Sequence, residues 1–384
     1  MPIGTLGVGI LGCGNISGIY LRNMPMFAGL ELRACASRSM ASAQRAAEPL
    51  GLGAVTVPEL LAREDIDIIV NLTPPNDHAA LTRAALEAGK NVYSEKPLTV
   101  SVEDARGLIA LAEARRLALG CAPDTFLGGG HQLCRQIVDS GRIGRVIGGT
   151  AMVLSHGMEH WHPDPEFFFK PGGGPVLDLG PYYLTVLVNL LGPIARVQAH
   201  GQIGLAERLV TAPGPRHGQR ITVETLTHVT ALLDFAAGAQ ITLMASWDIW
   251  KNGHPPIELY GTEGSLRIPD PNWFGGTPEV SDRDGPWQTQ ESHTMPFGAL
   301  NYRGPHWPAE RPDQANYRAL GIADLAASVR AGTPHRSSAQ LALHVLEVMD
   351  AILHACDTGT AISLAPAIDR PAPLGAVEAA ALLA

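Results

Sequence analysis

The chain has 384 residues, enough for two domains, and at 46% hydrophobic it can fill a large core. Its net charge of −9, with no basic block, argues against a nucleic-acid surface, and no apolar run reaches the roughly 18 residues of a membrane helix. The cysteines at 13, 35, 121, 134 and 356 are odd in number, widely spaced and without a CxxC pair. That excludes a disulfide scaffold or zinc ribbon and predicts a reduced, cytoplasmic protein.

The opening "MPIGTLGVGILGCG" enters an apolar run at once. It lacks a basic stretch and a cleavage pattern, so it is not expected to be a signal peptide. Residues 6–11 predict a buried strand. Gly12-Cys13-Gly14-Asn15-Ile16-Ser17 follows, and then a helix-like segment. This is G-x-G-x-x-S. A dinucleotide site needs a tight turn, then bare backbone against the pyrophosphate, then a helix close to its strand. Ser17 is small enough for the third role, and Gly12, Gly14, Asn15 and Ile16 become candidate cofactor contacts. A second strand is expected over 30–36. It ends in Ser37-Arg38-Ser39, where an NAD site would usually present a carboxylate to the ribose. Arg38 can pair a 2′-phosphate, so the cofactor is NADP or NAD, with a lean to NADP. An ordinary solvated arginine is the simpler alternative.

A third strand is expected over 66–72, and Thr73, Pro74, Asn76 and His78 after it are further candidate cofactor contacts. A helix then ends at Gly89, a suitable C-cap. "NVYSE" forms the next strand and carries Glu95-Lys96-Pro97 at its end. A helix over roughly 101–117, capped by Ser101 with Asp104 at its third position, leads to a strand over 118–122. Alternating strands and helices of this length imply a doubly wound parallel sheet. Beyond it, strands over 146–153, 194–202, 223–235, 240–245 and 257–261, several joined by short Gly turns, fit an antiparallel sheet. Residues 269–313 read as a long loop, 314–331 and 338–357 as helices, and the tail from Pro371 has no assigned role.

"GILGCGNIS", "NLTPPNDH", "EKPLTV" and "GGGPVLDLGPYY" occur in the order seen in the Gfo/Idh/MocA oxidoreductases. The chain resembles that family over nearly its whole length. The resemblance implies a Rossmann domain (residues 1–122) and a C-terminal α/β domain (123–384) with a large, mostly antiparallel open sheet. Family members use that sheet face to form homo-oligomers, so a dimer or tetramer is expected. It also implies a lysine beside the nicotinamide, here Lys96, and an Asp-x-x-x-His pair for acid–base chemistry.

An ammonium at Lys96 favours an alkoxide developing as hydride leaves carbon. Glu95 can hold the lysine or contact the cofactor, and a cis Lys96–Pro97 bond is plausible. A solvated turn lysine is the alternative. The family's histidine is tyrosine here. Asp178 and Tyr182 sit four apart on an expected helix and so share a face. Tyrosine's ordinary pKa near 10 requires a cationic neighbour such as Lys96 for work near neutrality. The alternatives are an N-cap for Asp178 and a half-buried aromatic for Tyr182. His156, His160 and His162 lie in a segment that Gly157 and its prolines make a loop, and no metal site is expected. His160, Trp161 and His162 are candidate substrate contacts, and His160 is a second candidate proton carrier. Trp247 and Trp250 are weaker candidates for a pocket wall.

These readings converge on an NAD(P)-dependent dehydrogenase acting on a secondary alcohol of a sugar, pyranoside or cyclitol. One alternative is glycoside processing with internally recycled NAD(H). Another is a cofactor-binding sensor without turnover.

Overall fold

In the computed structural model, residues 4–304, 307, 309–365 and 368–384 are described. The first unit is built on β1 (Leu6–Leu11), α1 (Ser17–Asn23), β2 (Leu30–Ala36), α2 (Met40–Ala47), β3 (Gly53–Val55), α3 (Val57–Ala62), β4 (Ile68–Asn71), α4 (Pro75–Glu87), β5 (Asn91–Ser94), α5 (Val102–Arg115) and β6 (Leu119–Cys121). The six strands form one sheet in the order β3-β2-β1-β4-β5-β6, all parallel. That is the order of a dinucleotide-binding fold, with the switch point between β1 and β4. Val8, Ile10 and Leu11 of β1 are buried, each contributing about 1.5–3 kcal/mol by leaving water. The predicted caps are present. Ser101 accepts from the Asp104 amide at 3.3 Å. Gly89, at φ +78°, follows α4, and the Lys90 amide returns to the Ala85 carbonyl.

The second unit contains α6 (Gly129–Asp139), β7 (Val146–Leu154), α7 (Pro175–Leu191), β8 (Ile194–Gln202), β9 (Glu207–Leu209), β10 (Arg220–Thr222), β11 (His228–Phe235), β12 (Gln240–Ser246), β13 (Ile257–Gly261), β14 (Gly264–Ile268), β15 (Glu279–Asp282) and β16 (Gln288–Thr289). Then come α8 (Leu320–Ala331), α9 (Ala339–Thr358), β17 (Ile362–Ser363) and α10 (Ala376–Ala381). The large sheet has nine strands in the order β16-β15-β14-β13-β7-β12-β11-β8-β17. Every neighbouring pair is antiparallel except β7–β12. β9 and β10 form a separate ribbon. α7 is apolar all round and buried from Gly180 to Leu191, as a helix inside a core must be. Gly180 permits its close approach to α9, since a Cβ there would lie 3.2 Å from Met349 Sδ.

The expected boundary at residue 122 is corrected. The first unit comprises Met1–Gly129, Met295–Leu343 and Pro371–Ala384, and the second Gly130–Thr294 and His344–Arg370. The returning segments are held by named bonds. The Gly321 amide donates to buried Asp124 at 2.9 Å, and the Cys121 amide to the Ser337 carbonyl at 2.9 Å. The tail from Pro371 carries α10 and ends against Met26–Ala28, where the Ala28 amide donates to Leu382. The stretch 269–313 is not all loop, because β15 and β16 lie in it; positions 305, 306 and 308 are outside the described residues. The strand expected over 223–235 begins only at His228. Val223 instead belongs to a small core with Met158, Phe169, Val210, Ala212, Ile221 and Trp247.

Candidate active site

In the first unit the glycine turn leaves β1 at the switch point. Gly12 has φ +99°, and a Cβ on it would come within 2.7 Å of the Leu72 and Thr73 backbone, so only glycine fits. Gly14 differs. A Cβ there would meet nothing within 4 Å, so the turn opens on free space that any side chain would begin to fill. Ser17 is buried in the third motif position, and its hydroxyl donates to the Gly14 carbonyl at 2.7 Å. Asn15 is exposed and Ile16 half-buried. This bare, tightly closed backbone fits a dinucleotide pyrophosphate.

The two glycines therefore make separable predictions. Gly12→Ala is expected to cost stability, with about 1–3 kcal/mol from the backbone conformation alone. Gly14→Ala should leave the Tm near wild type while weakening dinucleotide binding about tenfold or more, roughly one charge-assisted hydrogen bond. Thermal melts paired with dinucleotide titrations test this. An equal loss of Tm from both variants would contradict it.

At the end of β2, Ser37 is half-buried and Arg38 exposed. Beyond β4, the Asn71 side chain accepts from the Thr73 hydroxyl at 2.6 Å and donates to Thr82 at 3.1 Å. Pro74 and Asn76 are exposed. His78 departs from expectation. It is fully buried, with ring nitrogens 2.6 Å from the Pro97 carbonyl and 2.7 Å from the Thr73 carbonyl. It ties the β4 loop to the turn beyond β5, and both nitrogens are committed to backbone rather than to a cofactor.

Of the two roles expected of Glu95, its contacts match the holding of the lysine. Its carboxylate is buried, accepts from the Tyr20 hydroxyl at 2.8 Å and accepts from the Lys96 amide at 2.9 Å. Burial, and then the charge of Glu95, push the Tyr20 phenol well up, so it remains a neutral donor. Glu95 thus holds the lysine's backbone, and Tyr20, 75 residues away in sequence, is a partner that no local pattern announces. The Lys96–Pro97 bond is cis, and Lys96 itself is half-buried.

In the second unit Asp178 is not an N-cap. Gly174, at φ +96°, caps α7, and the Asp178 amide donates to the Gly174 carbonyl at 3.1 Å. Asp178 is the fourth helical residue, and Tyr182, only 8% exposed, lies one turn on. The structure brings these two together on one helix.

The segment between β7 and α7 is the expected loop. Trp161 is 56% exposed, and its ring meets that of His162 edge-on at 5.4 Å. His162 in turn meets Phe167 and Phe168 at 5.6 and 5.4 Å. His160 stands exposed outside this cluster. His156 stacks on Trp250 with ring centroids 3.3 Å apart, whereas Trp247 is fully buried and is a core residue, not a pocket wall. Beneath the loop lies a buried ion network that sequence reading missed. Arg208 donates to Glu159 at 2.9 Å, to Asp248, and to the His156 and Trp247 carbonyls. Burial lowers the His156 pKa, and the Arg208 charge lowers it further against the opposing pull of Glu159.

The parallel six-stranded sheet with its glycine turn, followed by a large mixed sheet, defines a dinucleotide-binding oxidoreductase architecture. Residues 6–122 match the oxidoreductase family with an NAD-binding Rossmann fold, and residues 131–267 match the GFO/IDH/MocA C-terminal domain. A dTDP-3,4-didehydro-2,6-dideoxy-alpha-D-glucose 3-reductase of Streptomyces violaceoruber is 33% identical over 274 residues, covering 69% of this chain and 72% of that protein. An uncharacterised oxidoreductase of Schizosaccharomyces pombe is 33% identical over 186 residues, which span 46% of this chain and 49% of its own length. Levoglucosan dehydrogenase, solved with NADH and L-sorbose, superposes with a TM-score of 0.78 over 94% of this chain and 99% of its own, at 21% identity. The chain belongs to the Gfo/Idh/MocA oxidoreductases.

Proposed function

We propose that this protein is an NAD(P)-dependent dehydrogenase or reductase acting on a secondary alcohol of a sugar, pyranoside or cyclitol. One observation carries the reading: the backbone of Lys96 is locked at the end of a parallel strand by Glu95, Tyr20 and the His78 tie. A lysine whose amide is bonded by buried Glu95, with Tyr20 holding that glutamate and His78 holding the next residue, is placed for chemistry rather than for solubility. The sugar reductase among the relatives supports the substrate class.

A bound nicotinamide would supply the hydride transfer. Gly12, Gly14, Asn15 and Ile16 would hold its diphosphate through backbone groups, Thr73, Pro74 and Asn76 would lie towards the nicotinamide, and Ser37 and Arg38 would take the adenosine ribose. The Lys96 ammonium stabilises negative charge on the carbinol oxygen. On the second unit, Asp178 orients a substrate hydroxyl and Tyr182 exchanges its proton. Trp161 and His162 present an aromatic surface to the C–H face of the ring.

The preference for NADP has its own test. Arg38→Ala is expected to weaken NADPH binding about tenfold or more, from the loss of a charge-assisted contact, and to leave NADH binding within about twofold. Titration of nicotinamide fluorescence reads both, and equal losses would remove the preference. A homo-oligomer is part of the proposal. Ile147, Leu232 and Tyr260 are exposed along the sheet of the second unit, an apolar row suited to a second copy.

The activity itself is tested by incubating the protein with NAD+ and NADP+ and a panel of sugars, glycosides and inositols. Net cofactor reduction is the expected result. Product without net reduction points to internal recycling, and binding without product points to a sensor.

A further inference from the structure

The β9–β10 ribbon stands apart from the nine-stranded sheet of the second unit, and the chemistry assigned above uses none of it. What it touches is the aromatic loop between β7 and α7. Just after β9, the Thr211 and Ala212 amides both donate to the Glu159 carbonyl at 2.9 Å. Arg208 in β9 is buried over the Phe169 ring and bonds the Glu159 side chain and the His156 carbonyl. In the turn between the two strands, Arg216 Nη1 donates to Asp164 at 2.5 Å and Nη2 to Glu166 at 2.6 Å. Beyond β10, the Glu224 amide donates to the Phe169 carbonyl at 2.8 Å, and its carboxylate accepts from Lys170 at 2.5 Å. The loop is thus tied at 156 and 159, at 164 and 166, and at 169 and 170. These ties flank Trp161 and His162 on one side and Phe167 and Phe168 on the other. Trp161 and Phe167 keep exposed faces.

We propose that Arg216 is a positioning residue that fixes the aromatic surface of Trp161 and His162 and thereby sets the affinity for the substrate ring. The proposal rests on the reading of that surface as the face that meets the ring. Arg216 is the tie in the middle of the loop; without it, the ends at Glu159 and Phe169 remain. A guanidinium is suited to this task because its planar fork reaches two carboxylates at once, which a lysine's single ammonium does less well. A flat ring gains from stacking only on a surface already in place, since a loop that must be ordered at the moment of binding loses that ordering cost from the affinity. The cost falls on substrate and transition state alike, so it appears in KM and not in kcat. Arg208 is the fixed end. Its removal would leave the buried Glu159 carboxylate without its ion pair, a folding defect rather than a test. Arg216 is half-buried and can be changed without that penalty.

The test compares Arg216→Ala with the double variant Asp164→Asn/Glu166→Gln, which breaks the same bonds from the other side. The probes are D-glucose, methyl β-D-glucopyranoside and myo-inositol at saturating dinucleotide. Both variants should raise KM about five- to twentyfold, as two ion pairs of modest strength allow, with kcat within about twofold and Tm near wild type. Hydrogen exchange of the peptide spanning 160–168 should quicken in both. Combining the two sets of changes should add little to either, because they remove one shared interaction. Arg216→Lys should fall between wild type and Arg216→Ala. Arg220→Ala, which breaks an exposed pair with Glu207 on the same ribbon, should change none of these. Unchanged exchange in Arg216→Ala overturns the tie. Quicker exchange with an unchanged KM overturns its role in substrate affinity. A fall in kcat, or a large loss of Tm with kcat and KM failing together, shows a catalytic or merely structural role and overturns the proposal. A wild-type protein that transforms none of the three polyols refutes the reading of the aromatic surface and the affinity role with it, while the exchange measurement still decides whether Arg216 holds the loop.

Discussion

Lys96→Met is expected to lower kcat by about 1,000-fold or more, while dinucleotide affinity stays within about twofold of wild type. The asymmetry is the point of the prediction. Methionine keeps most of the length and apolar volume of the lysine stem, so packing around the turn survives. What disappears is one positive charge, and its benefit is greatest where negative charge builds on the substrate oxygen. The parts that fix the position are backbone contacts: the Lys96 amide to Glu95, and the His78 ring to the Pro97 carbonyl. Neither involves the ammonium. Steady-state kinetics together with dinucleotide titration separates the cases. A variant that loses affinity and turnover in parallel would place Lys96 in cofactor binding. Unchanged turnover would end its assignment to chemistry.

Tyr182→Phe should cost about 100- to 10,000-fold in kcat, the usual range for removing a general acid–base group. The ring is buried in the first half of an apolar helix, so phenylalanine keeps the packing and removes only the hydroxyl. His160→Ala serves as the control for the rival carrier. His160 is exposed and outside the aromatic cluster, and its removal is expected to change kcat by no more than about threefold. A larger loss in His160→Ala than in Tyr182→Phe would move the proton to the histidine.

Much of the first unit was legible because its signals are local. A buried run, two glycines and a small residue three places on announce β1, the turn and α1. The cap at Ser101 and the glycine at 89 mark helix ends in the same way. β3 and α3 escaped because they are three and six residues long, too short for periodicity to show. The alternation over 223–235 misled for a physical reason: Val223 is buried against Trp247 and Phe169 from a loop, and a loop seated on a core can imitate a strand.

The site shows the same division. The position of Lys96 just beyond β5 was legible because a charged residue follows an apolar strand. What holds it there was not, since Tyr20 and Glu95 meet across 75 residues. Arg208, Glu159 and Asp248 are each 40 or 49 residues apart where they pair, and a pairing made only by tertiary folding has no period or motif. His78 was read as a cofactor contact, whereas its buried ring meets the Pro97 and Thr73 carbonyls.

The most direct test of the account is the absorbance of reduced nicotinamide after incubating the reduced wild-type protein with NADP+ or NAD+ and a panel of free sugars, pyranosides and inositols. The account predicts net reduction with at least one polyol, stoichiometric with a ketone or lactone product, and none from Lys96→Met at matched cofactor occupancy. Dinucleotide binding without reduction or transformation of any polyol, or reduction that persists undiminished in Lys96→Met, would contradict it.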